Sequence, residues 1–197
     1  MIFALVLGYL LGSIPFGLIL TRMSGRGDIR DVGSGNIGAT NVLRTGSKLL
    51  AALTLVLDCL KATAAILIAR ALWQESSGIF AGTGAMLGHL YPIWLGFKGG
   101  KGVATLFGVL IPILPIAALI YAAVWLGLLL TIRISSVAGM TAAASAPVTA
   151  AVLGDETHFP MLLGLAVLVL WKHRENIRRL MAGTEPRIGR RTDCPET

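Results

Sequence analysis

Six apolar runs, most of them about as long as a bilayer is thick, take up most of this 197-residue chain: residues 1–21, 49–70, 78–97, 103–132, 136–153 and 160–171. No other feature narrows the possible folds as much. A helix rises ~1.5 Å per residue, so about 20 apolar residues cross ~30 Å of hydrocarbon. Hydrophobic residues make up 55% of the chain, its 24 glycines raise the apolar share to about two thirds, and charged residues are only 14%. Soluble domains lie near about 45–50% apolar and about 25% charged. A water-soluble fold of this length has too little interior to hide so much apolar surface. The expected class is an all-α integral membrane protein, one domain over 1–197, because a helix satisfies its own backbone hydrogen bonds in lipid.

The position of the charges sets the number of spans. Residues 1–21 carry no charge, and Arg22, Arg26 and Arg30 follow the run instead of preceding it as in a signal peptide. The run therefore reads as a first span with its N-terminus outside. The run 103–132, interrupted by Pro112 and Pro115, is long for one helix and short for two at ~45 Å. If the chain turns at those prolines, segments 22–48, 98–101, 133–135 and 172–197 share one side and hold 15 of the 17 lysines and arginines. As a single helix it would send Arg133 and the basic tail outside, against the positive-inside bias. The expectation is seven transmembrane helices, some short, with the N-terminus outside and the C-terminus cytoplasmic. The last span is expected to continue as a helix into the tail. Glycine pairs at four-residue spacing, Gly8/Gly12, Gly78/Gly82 and Gly84/Gly88, fit close helix packing. Cys59 and Cys194 suggest neither a disulfide nor a metal site. The net charge of +7 suits an anionic leaflet and anionic substrates, not nucleic acid.

Three polar clusters fall on the basic side. The first, GSGNIGATNVLR, runs from Gly33 to Arg44. It matches G-x-G-x-x-G but lacks the preceding strand and βαβ unit of a dinucleotide site. Its glycines still let N–H groups converge on an anion, Ser34, Asn36, Thr40 and Asn41 add donors, and Arg44 adds a fork suited to phosphate. A solvated turn with a helix cap is the plain alternative. The second, GHLYPIWLGFKGGKGVAT, runs from Gly88 to Thr105 and holds Lys98 and Lys101 on a glycine turn. It is not a Walker loop, because Gly102 stands where Ser or Thr must hold magnesium. The two lysines fit a cation site or a topogenic stop. His89 fits a packing residue near that loop, and Tyr91 and Trp94 fit an interfacial belt. The third, WKHRENIRRL, runs from Trp171 to Leu180. On a helix it puts His173 and Asn176 on one face, and Glu175 near Arg178 and Arg179. A polybasic lipid anchor explains the arginines but not His173 with Asn176. Ser135 and Ser136 sit at a short turn on the same side, and Asp58 and Lys61, three apart within a span, can pair. The three histidines lack metal-ligand spacing, and no nucleophile elbow is visible.

These three runs, in this order, resemble the three motifs of the bacterial membrane glycerol-3-phosphate acyltransferases that use acyl phosphate, and the resemblance covers nearly the whole chain. It implies seven membrane helices in the inner membrane with the motifs facing the cytoplasm. It also implies transfer of a fatty acyl group from acyl phosphate to the 1-hydroxyl of glycerol 3-phosphate, giving lysophosphatidate and phosphate, without cofactor or metal. By the same resemblance Ser34, Arg44, Lys101, Ser136, His173 and Asn176 bind glycerol 3-phosphate. Ser34, Gly35, Asn36, Thr40 and Asn41 cradle the acyl phosphate, and Gly99, Gly100 and Gly102 shape the second loop. Ser34, Lys101, His173 and Asn176 are the groups expected at the reacting atoms. Membrane lipid and, by analogy, a soluble acyl-phosphate synthase are the implied partners. No histidine has Asp five positions on, so the H-x4-D acyltransferases are excluded. Ala62 departs from the glycine usual in the family after the span-two lysine. A membrane carrier for phosphorylated anions is the competing reading, but apart from Arg70 the outer loops carry no lysine or arginine with which to form an anion exit site.

Overall fold

A computed structural model describes residues 1–188. The described residues form helices and turns without strands: α1 (Ile2–Gly12), α2 (Phe16–Met23), α3 (Ala39–Leu43), α4 (Lys48–Leu72), α5 (Ser77–Leu90), α6 (Val103–Ile113), α7 (Pro115–Ile132), α8 (Ser135–Val152), α9 (Phe159–Lys172) and α10 (Arg174–Met181). The tail residues Arg190, Arg191 and Cys194 lie outside the described residues. The protein is an all-helical integral membrane protein.

The apolar runs become helices with four adjustments, three at prolines and one at a bend. The first run is not continuous. Pro15 lacks an N–H and cannot continue a ladder, so α1 stops and α2 starts anew. Carbonyls freed in lipid need partners: Trp94 Nε1 donates to the Ser13 carbonyl at 2.7 Å and Lys61 Nζ to the Ile14 carbonyl at 2.9 Å. Trp94 thus does more than sit in an aromatic belt. The run 78–97 is helical only to Leu90, because Pro92 diverts the chain into the loop that carries Lys98 and Lys101. The run 103–132 breaks at Leu114, with Pro115 opening α7. The two halves fold back on each other: the Tyr121 hydroxyl donates to the Val103 carbonyl at 2.9 Å, and Phe107 stacks on Tyr121. The final helix bends at His173 before continuing as α10, although Ile177 N–H still reaches the His173 carbonyl at 2.9 Å.

Many large apolar side chains face outward, such as Leu119 and Leu130, which are 72% and 75% exposed, while alanines and glycines make up much of the interior around a few large residues such as Ile66, Met86 and Tyr121. In lipid, close backbone approach holds helices together, because burying apolar side chains gains little there. The α1–α5 contact illustrates this. A Cβ at Gly8 or Gly12 would meet the carbonyls of Ala81 or Ala85, and one at Gly84 or Gly88 those of Leu5 or Tyr9. Gly78 and Gly82 abut Ile66 and Arg70 of α4 instead. Gly84→Val should therefore lower stability by about 3 kcal/mol, because backbone cannot yield to the added methyls. Gly164→Val, at a position with open space, should stay within about 0.5 kcal/mol. Thermal unfolding in detergent checks both, and equal losses would refute the contact's importance.

Candidate functional site

One end of the bundle gathers the polar loops. In the first loop, Asp28 receives Arg22 and Arg30, each at 2.6 Å, and those hydrogen bonds, that from Arg30 the largest, hold its carboxyl well below the usual range. Asn41, buried on α3, holds this loop together. Its Nδ2 donates to the carbonyls of Ile29, Val32 and Asn36 at 3.0, 2.9 and 2.8 Å, and its Oδ1 accepts the Ser34 N–H at 3.1 Å. Its amide hydrogens are thereby committed to the loop itself. The Asn36 side chain accepts the Gly38 N–H at 2.9 Å. This leaves Ser34, Gly35 and Thr40 on the exposed surface of the loop. Arg44 is exposed, lies over Gly33, where a Cβ would meet its guanidinium, and pairs with no carboxylate among the described residues.

The second loop is fastened to the end of α5. Gly99 N–H donates to the Leu90 carbonyl at 3.2 Å and Gly100 N–H to that of His89 at 3.0 Å. Lys172 Nζ reaches the same Leu90 carbonyl at 3.1 Å from α9. Gly102, at φ 87°, turns the chain into α6, whose N-terminus has no side-chain cap. Its positive end therefore lies beside Lys101.

The third cluster closes on Lys101 from the side. Lys101 Nζ donates to Asn176 Oδ1 at 2.5 Å. Asn176 Nδ2 and Ser136 Oγ both donate to Glu185 Oε1 at 2.6 Å, and Arg179 Nε donates to Oε2 at 2.7 Å. Burial raises Glu185, but its three hydrogen bonds outweigh that, so the carboxyl stays below its ordinary value. Burial and then the charge of Arg179 push the Lys101 ammonium down to about 8, with Arg44 and Lys172 acting in the same sense and Glu185 against them. The charges of all three clusters thus converge on one lysine. His173 is buried beside them, with Nδ1 2.8 Å from the Val169 carbonyl. A carbonyl only accepts, so Nδ1 carries the proton and Nε2 keeps its lone pair. Burial pushes this imidazole down to about 4, and the Lys101 charge adds to the effect.

Of the residues expected from sequence, Lys101, Ser136, Asn176 and His173 come together, with Arg44 in electrostatic reach. Ser34 bonds only to Asn41 among the described residues, and Gly99, Gly100 and Gly102 shape the lysine loop. Sequence reasoning missed Glu185, which joins Ser136, Asn176 and Arg179. The available signal was an isolated carboxylate in a basic tail, after the Gly183 turn that ends α10. Such an arrangement can hold phosphate groups, withdraw charge from a phosphate leaving group, and accept a hydroxyl proton in a hydrogen bond at His173 Nε2.

Comparison with known proteins points the same way. A family model described as glycerol-3-phosphate acyltransferase matches residues 2–183. The chain is 58% identical over 188 residues to the glycerol-3-phosphate acyltransferase of Agrobacterium fabrum, covering 95% of this chain and 92% of that one. It is 56% identical over 191 residues to that of Methylorubrum populi, covering 97% and 94%. Among solved structures, it resembles PlsY (YgiH), an integral membrane glycerol 3-phosphate acyltransferase. The glycerol 3-phosphate form has a TM-score of 0.89 at 42% identity, and the lysophosphatidic acid form 0.87 at 41%, each covering 95% of both chains.

Proposed function

The chain belongs to the glycerol-3-phosphate acyltransferase family, and we propose accordingly that it takes the acyl group from acyl phosphate and places it on the 1-hydroxyl of glycerol 3-phosphate. The observation that carries this reading is Lys101 among Arg44, Arg179 and Lys172, beside the uncapped start of α6. Two phosphorylated substrates need that concentration of positive charge. Acyl phosphate is already a mixed anhydride, so no enzyme nucleophile is required. The acceptor oxygen bonds the acyl carbon, the bond from that carbon to the phosphate oxygen breaks, and the departing phosphate takes its electron pair. Lys101 and Arg44 stabilise the developing charge. His173 and Asn176 orient the acceptor, the substrate phosphate takes the hydroxyl proton, and Ser136 supports the arrangement through Glu185. Ser34, Gly35, Asn36 and Thr40 line the donor side, while Asn41 acts through the loop it holds. Purified protein given labelled glycerol 3-phosphate should make lysophosphatidate with acyl phosphate and not with acyl-CoA. Comparable turnover with acyl-CoA would overturn the donor assignment.

In the proposed topology seven spans place this end of the bundle in the cytoplasm of a bacterium, under the inner membrane, where a soluble acyl-phosphate synthase can deliver donor. The split of α6 from α7 at Leu114 supports the count, with α1 and α2 together forming the first span. In a Cys59→Ala/Cys194→Ser background, Lys98→Cys, Arg133→Cys and Arg187→Cys should resist an impermeant thiol reagent in intact cells. Glu75→Cys and Glu156→Cys should react. Labelling at Arg133→Cys would sink the seven-span topology.

A further inference from the structure

The lysine loop rests on a buried polar chain that the acyl-transfer reading does not use. Lys61 on α4 is buried, and its three ammonium protons meet three acceptors: Asp58 Oδ1 at 2.6 Å, the Ile14 carbonyl at 2.9 Å and His89 Nδ1 at 3.0 Å. An ammonium only donates, so His89 Nδ1 holds its lone pair and the ring proton sits on Nε2. That Nε2 edge faces the second loop: a Cβ on Gly100 would land on Nε2, with Cε1 and Cδ2 behind it. The His89 carbonyl meanwhile holds the Gly100 N–H at 3.0 Å. Lys101 is the next residue. One residue therefore contacts Gly100 by its ring and fixes it by its backbone carbonyl, and its ring is in turn fixed by a charge pair on another helix.

We propose that Asp58, Lys61 and His89 are positioning residues for the acyl transfer proposed above. The ion pair sets the tautomer and plane of the His89 ring, and the ring sets the place of Gly100 and so of the Lys101 ammonium. Glycine at position 100 is needed because the ring occupies the space where a side chain would begin. A network that only ties α1, α2, α4 and α5 together would change stability and leave turnover per folded molecule alone.

The test has a spectroscopic arm and a kinetic one. With ring nitrogens labelled by 15N, wild-type protein in detergent should show His89 protonated at Nε2 and bare at Nδ1, and the opposite tautomer overturns the proposal. Asp58→Asn/Lys61→Met keeps the volume without leaving a lone buried charge; it should lose the fixed tautomer and drop kcat at least ~10-fold with KM changed less than ~3-fold. Unaltered kcat in that variant, once folded, counts against the proposal. Should it fail to fold, His89→Ala, Gly100→Ala and their combination decide. Gly100→Ala should cut kcat at least ~10²-fold, and the double variant should recover at least ~10-fold of that loss, because removing the ring makes room for the methyl. Simple multiplication of the two losses overturns the proposal. Absence of acyl transfer by wild type would instead refute the acyl-transfer reading, and the tautomer measurement stands apart from it.

Discussion

Lys101→Ala should lose about 2–4 kcal/mol of transition-state stabilisation, roughly 30- to 1,000-fold in kcat/KM. The ammonium is the meeting point of all three polar clusters, bonded to Asn176 and within the field of Arg44, Arg179 and Lys172. Its surroundings also fix a pH dependence. A lysine lowered to about 8 is charged below that pH and neutral above it. Activity that needs the cation must fall as pH rises through about 8, and kcat/KM, which reports the free enzyme, should show that basic limb. In Lys101→Arg the limb should vanish from this range, because guanidinium does not deprotonate there. The absolute rate should stay low, since a planar fork does not replace a point charge on Asn176. Wild-type rates for Lys101→Ala would leave the second loop as no more than a topogenic turn.

His173→Ala and Asn176→Ala should each cut activity at least ~10²-fold, the scale of lost orienting or acid–base groups, without reducing membrane insertion. A lipid anchor would tolerate both changes, because Lys172, Arg174 and Arg178 stay at the same level of the chain. The pH profile separates the possible roles of His173. A general base of ordinary imidazole pKa gives an acidic limb near about 6.5. Here burial lowers the ring to about 4, so it is neutral throughout the neutral range and carries little basicity. With Nδ1 engaged by Val169, Nε2 is suited to accepting a hydrogen bond from the acceptor hydroxyl. His173→Gln should therefore lower the rate and leave the shape of the profile unchanged above about pH 5.5. Loss of an acidic limb near neutrality in that variant would make His173 the base. Asn176→Ala and Lys101→Ala should combine less than additively, because they share one hydrogen bond.

Features that depend on local length and local chemistry were legible in the chain itself. Apolar runs of membrane length had to be helices, since no other segment satisfies its own backbone in lipid. Pro112 and Pro115 with the charge bias split the run 103–132, and Leu114 is where it breaks. The four-residue glycine spacing marked helix faces where backbones approach, although only the fold assigned two pairs to α1–α5 and the third to α4. The resemblance of the motifs located the polar clusters, because each is a short contiguous string. Which strings meet, and in what state, depended on how the helices pack. Glu185 reaches Ser136 across 49 residues of chain, and Lys101 reaches Asn176 across 75. Neither separation leaves any periodic trace in the sequence. Asn41 looked like a ligand by its chemistry and turned out to have its amide spent on three carbonyls, because the loop closes around it. Asp58 and Lys61 were legible as a helical pair, but their tie to His89, 28 residues beyond Lys61, exists only because α4 and α5 lie side by side. Burial and neighbouring charge set the protonation of Lys101 and His173, and both are properties of the assembled bundle that no single segment carries.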